Sequence, residues 1–230
     1  MRSPLRSIAL IGLAASALFA ALPATASEES FEVSLGGNRL GRITHALSGG
    51  TRDLTLLLDS TPLGVFNGSY AGRSVTSGPV TRHTGRTRST RKSRDLSMTI
   101  DGGALREVSL LPEEERTALT APGAVTGSVL DPVSGFGALL ETSSCPDGLQ
   151  IYDGRRVGSL SLVEERRAGS EVTCRANYRV TAGPGYLEPL GISRLSVELT
   201  YDVSGSDWRL LRIGARSGPF VLSITGETGR

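Results

Sequence analysis

Two stretches in the second half of the chain alternate apolar and polar residues without a miss. Val172, Cys174, Ala176, Tyr178 and Val180 alternate with Thr173, Arg175, Asn177, Arg179 and Thr181, and Leu195, Val197, Leu199, Tyr201 and Val203 do the same against Ser196, Glu198, Thr200 and Asp202. Successive side chains of a strand point to opposite faces, so each stretch is a ribbon with one dry and one wet side. Ser204-Gly205-Ser206 turns the chain into residues 208–213, and Phe220, Leu222 and Ile224 begin another alternation. Long strands wet on one side and joined by short turns form an antiparallel meander.

The first half carries the same pattern less cleanly. Phe31, Val33 and Leu35 alternate before the turn Gly36-Gly37-Asn38, which leads into residues 40–47, and 54–58 is a short apolar strand. Leu96, Met98 and Ile100 precede a second turn, Asp101-Gly102-Gly103, with Arg106, Val108 and Leu110 returning. One helix is predicted, over about 131–143: Asp131 suits an N-cap and Pro132 the first helical position. Gly135 and Gly137 weaken it, each by up to about 1 kcal/mol against Ala. No repeat, heptad or linker divides the chain. The expected fold is mainly β, a curved antiparallel sheet or incomplete barrel with this one short helix, in a single domain over residues 27–230.

The first 26 residues read as an export signal. Arg2 and Arg6 precede an apolar run from Ile8 to Leu22, and Ala24-Thr25-Ala26 is a cleavage pattern that places the cut after Ala26. The run is short for a bilayer span, which takes roughly 20 residues, and no Cys follows the cut to carry a lipid anchor. A soluble protein released into the periplasm or beyond is expected. Of the 25 basic residues, two lie in this leader; the remaining 23 equal the 23 acidic ones. A neutral mature chain argues against general nucleic-acid binding. Outside the cytosol, Cys145 and Cys174, the only cysteines, read as a disulfide that stabilises by about 3–4 kcal/mol in the chain-entropy model. With two histidines, His45 and His83, neither a metal site nor a cofactor is expected, and no nucleophile elbow or dinucleotide fingerprint is present. His45 reads as a satisfied or half-exposed side chain.

Asp153-Gly154 is the strongest hairpin signal, between 150–152 and 155–157, with Arg155 and Arg156 at a strand start. The sharper alternative makes Asp153 and one Arg a buried pair bracing a barrel mouth, or a site for an anionic head group. Residues 73–94 hold Arg73, Arg82, Arg86, Arg88, Arg91, Lys92 and Arg94 and no acid. The stretch 84–93 is too polar for a buried strand; Arg86, Arg88 and Arg94 then line one face of a solvated loop or charged edge strand, with Thr87 and Ser89 on the other. Its functional alternative is a dock for lipid phosphates or anionic envelope glycan. Glu113-Glu114-Glu115 reads as a solvated acidic turn.

The export signal, the run Val129-Leu130-Asp131-Pro132-Val133-Ser134, Cys145, Tyr152-Asp153-Gly154-Arg155-Arg156, Cys174, and Tyr178 with Ala182-Gly183 together resemble domain-of-unknown-function family 3108. The resemblance implies an exported periplasmic protein whose curved sheet closes partway around a helix. That shape is similar to the lipoprotein-carrier half-barrels that hold acyl chains. The expectation is a non-enzymatic protein that binds or carries a lipid, an acyl chain or another amphipathic ligand, with Arg86, Arg88, Arg91, Arg94, Arg155 and Arg156 as candidate contacts. The alternative is an envelope interaction module that uses a strand edge, and the last reading a carbohydrate-active enzyme.

Overall fold

A hydrophobic ribbon must hide its dry face, and here thirteen ribbons do so by pairing into one antiparallel sheet that curls around a helix. The computed structural model describes residues 26–61, 67–90, 92–121, 123–186 and 191–227. The expected export signal, except for Ala26, and Arg91 lie outside the described residues.

The first meander comprises β1 (Ser27–Leu35), β2 (Asn38–Ser48), β3 (Thr51–Leu58), β4 (Gly68–Ser77), β5 (Val80–Ser89), β6 (Ser93–Asp101) and β7 (Ala104–Leu111). The second comprises β8 (Leu149–Tyr152), β9 (Val157–Ala168), β10 (Glu171–Ala182), β11 (Arg194–Asp202), β12 (Arg209–Ser217) and β13 (Phe220–Gly226). β1 pairs with β13, with Phe31 opposite Gly226 and Leu35 opposite Leu222, so the two meanders join in mid-sheet and leave β7 and β8 as its edges.

The edges do not pair, yet they face each other. Leu96, Met98, Ile100, Leu105 and Leu110 of β6 and β7 share a buried cluster with Tyr152 and Val157 of β8 and β9. The chain crossing from β7 to β8 bridges the gap. Val129 N donates to Gly103 O at one edge; at the other, Leu130 N donates to Gln150 O and Tyr152 N to Leu130 O, all at 2.8 Å. The sheet is therefore an incomplete barrel laced shut by a strap.

Helix α1 (Pro132–Leu140) leaves the strap and enters the interior, resting against β3, β4, β8 and β12. Asp131 caps it, its carboxylate accepting from Val133 N at 2.9 Å and Ser134 N at 3.0 Å. Val133 and Leu140 join the main core with Phe31, Leu54, Val172, Leu199 and Tyr201, and the Phe31 and Phe136 rings meet edge-on at 5.7 Å. Gly135 is a packing residue: a Cβ there would stand 2.8 Å from Ile151 Cδ1. Just past the helix, Cys145 is disulfide-bonded to Cys174 of β10, across 29 residues, with Cys174 fully buried. No helix among the described residues is long and apolar enough to cross a membrane.

Two expectations are corrected. Residues 84–89 are neither loop nor edge; they belong to β5, which pairs with β4 on one side and β6 on the other. A polar sequence can be an inner strand here because β5 turns His83, Gly85 and Thr87 toward the helix, where small and polar residues are what fits. The chain after Asp153-Gly154 does not resume as strand at Arg155: Tyr152 pairs with Val157, leaving a four-residue turn.

Candidate functional site

The inner faces of β2 to β7 and the strand β8 enclose a cavity of about 300 Å³ beside Pro132, open to the surface. Ile43, Leu54, Leu56, Leu96, Leu110 and Ile151 form its apolar wall, and Tyr70, Thr87, Arg94, Asp153 and Tyr186 its polar part. The space exists because β5 presents Gly85 and Thr87 inward where β3 presents Leu54 and Leu56. Its size and its apolar wall with a few polar groups are those of a small-ligand pocket, at the lower end of the usual range.

Two charged groupings frame its polar side. In the first, Glu115 receives Arg94 Nε at 2.8 Å, Arg155 Nη1 at 3.2 Å and Lys92 Nζ at 3.4 Å. Glu115 is only 12% exposed. Burial pushes its carboxyl up, but the three cations, Arg94 foremost, outweigh that and hold it below its ordinary value. In the second, Asp153 Oδ1 accepts from the backbone N–H of Arg155 and of Arg156, both at 3.0 Å, while its Oδ2 lies 3.1 Å from Arg156 Nε. Arg156, 7% exposed, also donates from Nη1 to Gly185 O at 2.8 Å and lies over the Tyr186 ring at 4.2 Å. The turn and the Asp153–Arg156 pair are thus one object, with the guanidinium buried and the carboxylate half-buried. Gly154 adopts φ +89°, and a Cβ there would stand 2.7 Å from Leu96 Cδ1, so the turn packs onto the opposite edge of the sheet.

Beneath the cavity lies a buried polar latch. Ser74 Oγ donates to Asp131 Oδ1 at 2.6 Å and lies 3.0 Å from His83 Nδ1, which is itself 3.1 Å from Asp131 Oδ1. The residue types are those of a hydrolase triad, but the arrangement is not. A triad sets serine and carboxylate on opposite ring nitrogens; here both sit at Nδ1, and Nε2 faces Tyr70 Oη at 3.5 Å. This grouping fastens a helix cap to β4 and β5. Burial raises the Tyr70 and Tyr186 phenols, leaving both protonated at neutral pH.

The arginines from the basic stretch divide between two faces. Arg86 and Arg88 lie on the outer face, both paired with Asp95, at 3.2 Å and 2.8 Å. Arg73 is likewise held by Asp53 at 2.7 Å. Arg94 does not share their face, since it sits opposite Thr87 in the β5–β6 register and points inward. The structure brings Arg94 and Arg155 together on Glu115 and sets Arg156 beside them; Arg86 and Arg88 belong to a different surface. Sequence reasoning missed Glu115, the hub of the rim. It is not a solvated turn residue, although its neighbour Glu113 is one, at 76% exposed. His45 is also not as expected: it is buried, and its Nε2 has no hydrogen-bond partner.

No protein-family model matches the chain, and none of the curated proteins matches it. Among the described residues, no cluster of three or more His, Cys, Asp or Glu side chains is placed to hold a metal ion.

Proposed function

We propose that this chain is an exported binding protein that shelters a slender apolar chain in its half-barrel and carries out no chemistry on it. The observation that carries the reading is the cavity itself. A filled core would have closed the space among Ile43, Leu56, Leu110 and Ile151, whereas small inward residues of β5 leave about 300 Å³ there. The expected export signal over residues 1–26 supports a periplasmic setting, where an apolar molecule needs shelter from water.

Displacement of the fluorescent probe N-phenyl-1-naphthylamine by decan-1-ol tests the reading, alongside native mass spectrometry of the purified protein. The probe binds one-to-one and is displaced. Thr87→Phe, which fills the cavity from β5, weakens probe binding at least tenfold while the circular dichroism spectrum is kept. Probe binding unchanged by Thr87→Phe contradicts the assignment, as does a protein that takes up neither molecule.

A further inference from the structure

We infer that the molecule held in the cavity is a single-chain amphiphile with an anionic head, a carboxylate or phosphate monoester, bound by Arg94 at the rim. The inference rests on the apolar-chain reading above and adds the chemistry of the head.

Arg94 is the one cation among the described residues lining the cavity. Its Nε–H is used by Glu115 Oε2, at 2.8 Å. Among the described residues, its side chain's one hydrogen bond is that from Nε, which leaves the two terminal nitrogens without a hydrogen-bond partner there. A guanidinium carries five N–H donors in a planar fork, so the edge suited to a two-oxygen anion is unused. Arg155 and Lys92 stand behind it on the same carboxylate. Counting the two groupings together, Lys92, Arg94, Arg155 and Arg156 face Glu115 and Asp153, four positive charges against two negative, an excess of two that the Asp131 carboxylate beneath the cavity reduces to one. Arg155 Nε is moreover buried without a hydrogen-bond partner.

The groups that could receive a cationic head are already engaged. Asp153 Oδ1 is taken by two backbone amides, and Oδ2 lies at ion-pair distance, 3.1 Å, from Arg156 Nε, which makes no hydrogen bond among the described residues. Glu115 is surrounded by cations. Tyr186 Oη is bonded to Tyr178 Oη at 2.7 Å. An anion therefore meets a free fork and a positive field, and a cation meets neither.

Calorimetric titration of the whole protein with decanoate, decyl phosphate, decan-1-ol and decyltrimethylammonium tests this. One of the two anions binds at least about tenfold more tightly than decan-1-ol, a factor expected of a hydrogen bond to a charged group. The advantage shrinks as salt rises, and decyltrimethylammonium binds most weakly. Decyl phosphate ahead of decanoate identifies a phosphate monoester; the reverse order identifies a carboxylate. Arg94→Gln lowers the anion-to-alcohol preference about tenfold, whereas Arg86→Gln, on the outer face, leaves it unchanged. Should Arg94→Gln not fold, Arg94→Lys, which keeps the charge and loses the fork, reads the same ratio, and an undiminished preference overturns the inference. Equal affinity for decanoate, decyl phosphate and decan-1-ol overturns the anionic head and spares the apolar-chain reading. Binding by none of the four overturns both.

Discussion

Asp131 Oδ1 lies 2.6 Å from Ser74 Oγ, a contact between residues 57 apart in sequence, and the same oxygen caps α1 through Val133 N and Ser134 N. One carboxylate thus ends the strap, starts the helix and fixes both to the middle of the first meander. The position of Pro132, and with it one side of the cavity, follows from that contact.

Asp131→Ala removes the cap and strands Ser74 and His83 in a buried site. Leaving a buried hydrogen-bonding group without its partner costs about 1–3 kcal/mol, and loss of a cap alone about 1 kcal/mol. Urea unfolding is expected to show a loss of about 3 kcal/mol or more for Asp131→Ala. Ser74→Ala, which leaves the cap intact, is expected to cost about 1 kcal/mol.

The same carboxylate sets an acid limit. Burial would raise its pKa, but His83, Ser134 and Ser74 outweigh burial and hold it well below the usual carboxylate range. A group depressed in the fold contributes stability above its unfolded pKa, near 4 for Asp, and loses it as pH falls further. The unfolding free energy should therefore drop below about pH 4. Asp131→Asn retains a capping oxygen but cannot titrate, so its acid limb should be shallower; an identical pH profile in the two proteins would place the effect elsewhere.

Reduction of Cys145–Cys174 frees the segment that follows α1 from β10. Closing a loop of that length is worth about 3–4 kcal/mol in the chain-entropy model. The Cys145→Ala/Cys174→Ala variant should unfold at correspondingly lower urea while keeping a β-type circular dichroism spectrum. Equal midpoints for the two proteins would show that the crosslink constrains nothing.

The 153–156 turn separates two contributions in one residue. Asp153→Asn keeps an oxygen for the amides of Arg155 and Arg156 and loses the charge facing Arg156. A loss of about 1–2 kcal/mol is expected, in keeping with a part-buried charge-assisted contact. Asp153→Ala removes both and should cost more, with faster amide hydrogen exchange at Arg155 and Arg156. If Asn and Ala cost the same, the amide contacts are not what holds the turn.

Much of this architecture is written in the sequence wherever the interior is apolar. β10 and β11 follow the alternation of Val172 to Val180 and Leu195 to Val203, and Asp131-Pro132 marks the start of α1. Legibility fails where the interior is polar. β4 and β5 turn Tyr70, Gly72, Ser74, His83, Gly85 and Thr87 inward against the helix start, so hydrophobic periodicity does not show them. The face of Arg94 is hidden for a related reason. A shift of one residue flips every side chain of a strand, and with polar residues on both sides of residues 90–92 nothing in the sequence sets the parity between β5 and β6. Glu115 looked like its acidic neighbours because its partners Arg94 and Arg155 arrive from β6 and from the turn after β8.

The most direct measurement is an NMR experiment on the protein with methyl-labelled isoleucine, saturated with decanoate. Intermolecular nuclear Overhauser effects from the decanoate methylenes to the Ile43 and Ile151 methyl groups, and none to Ile213 on β12, are the predicted result. Decanoate that binds while contacting neither of those two methyls would contradict the account.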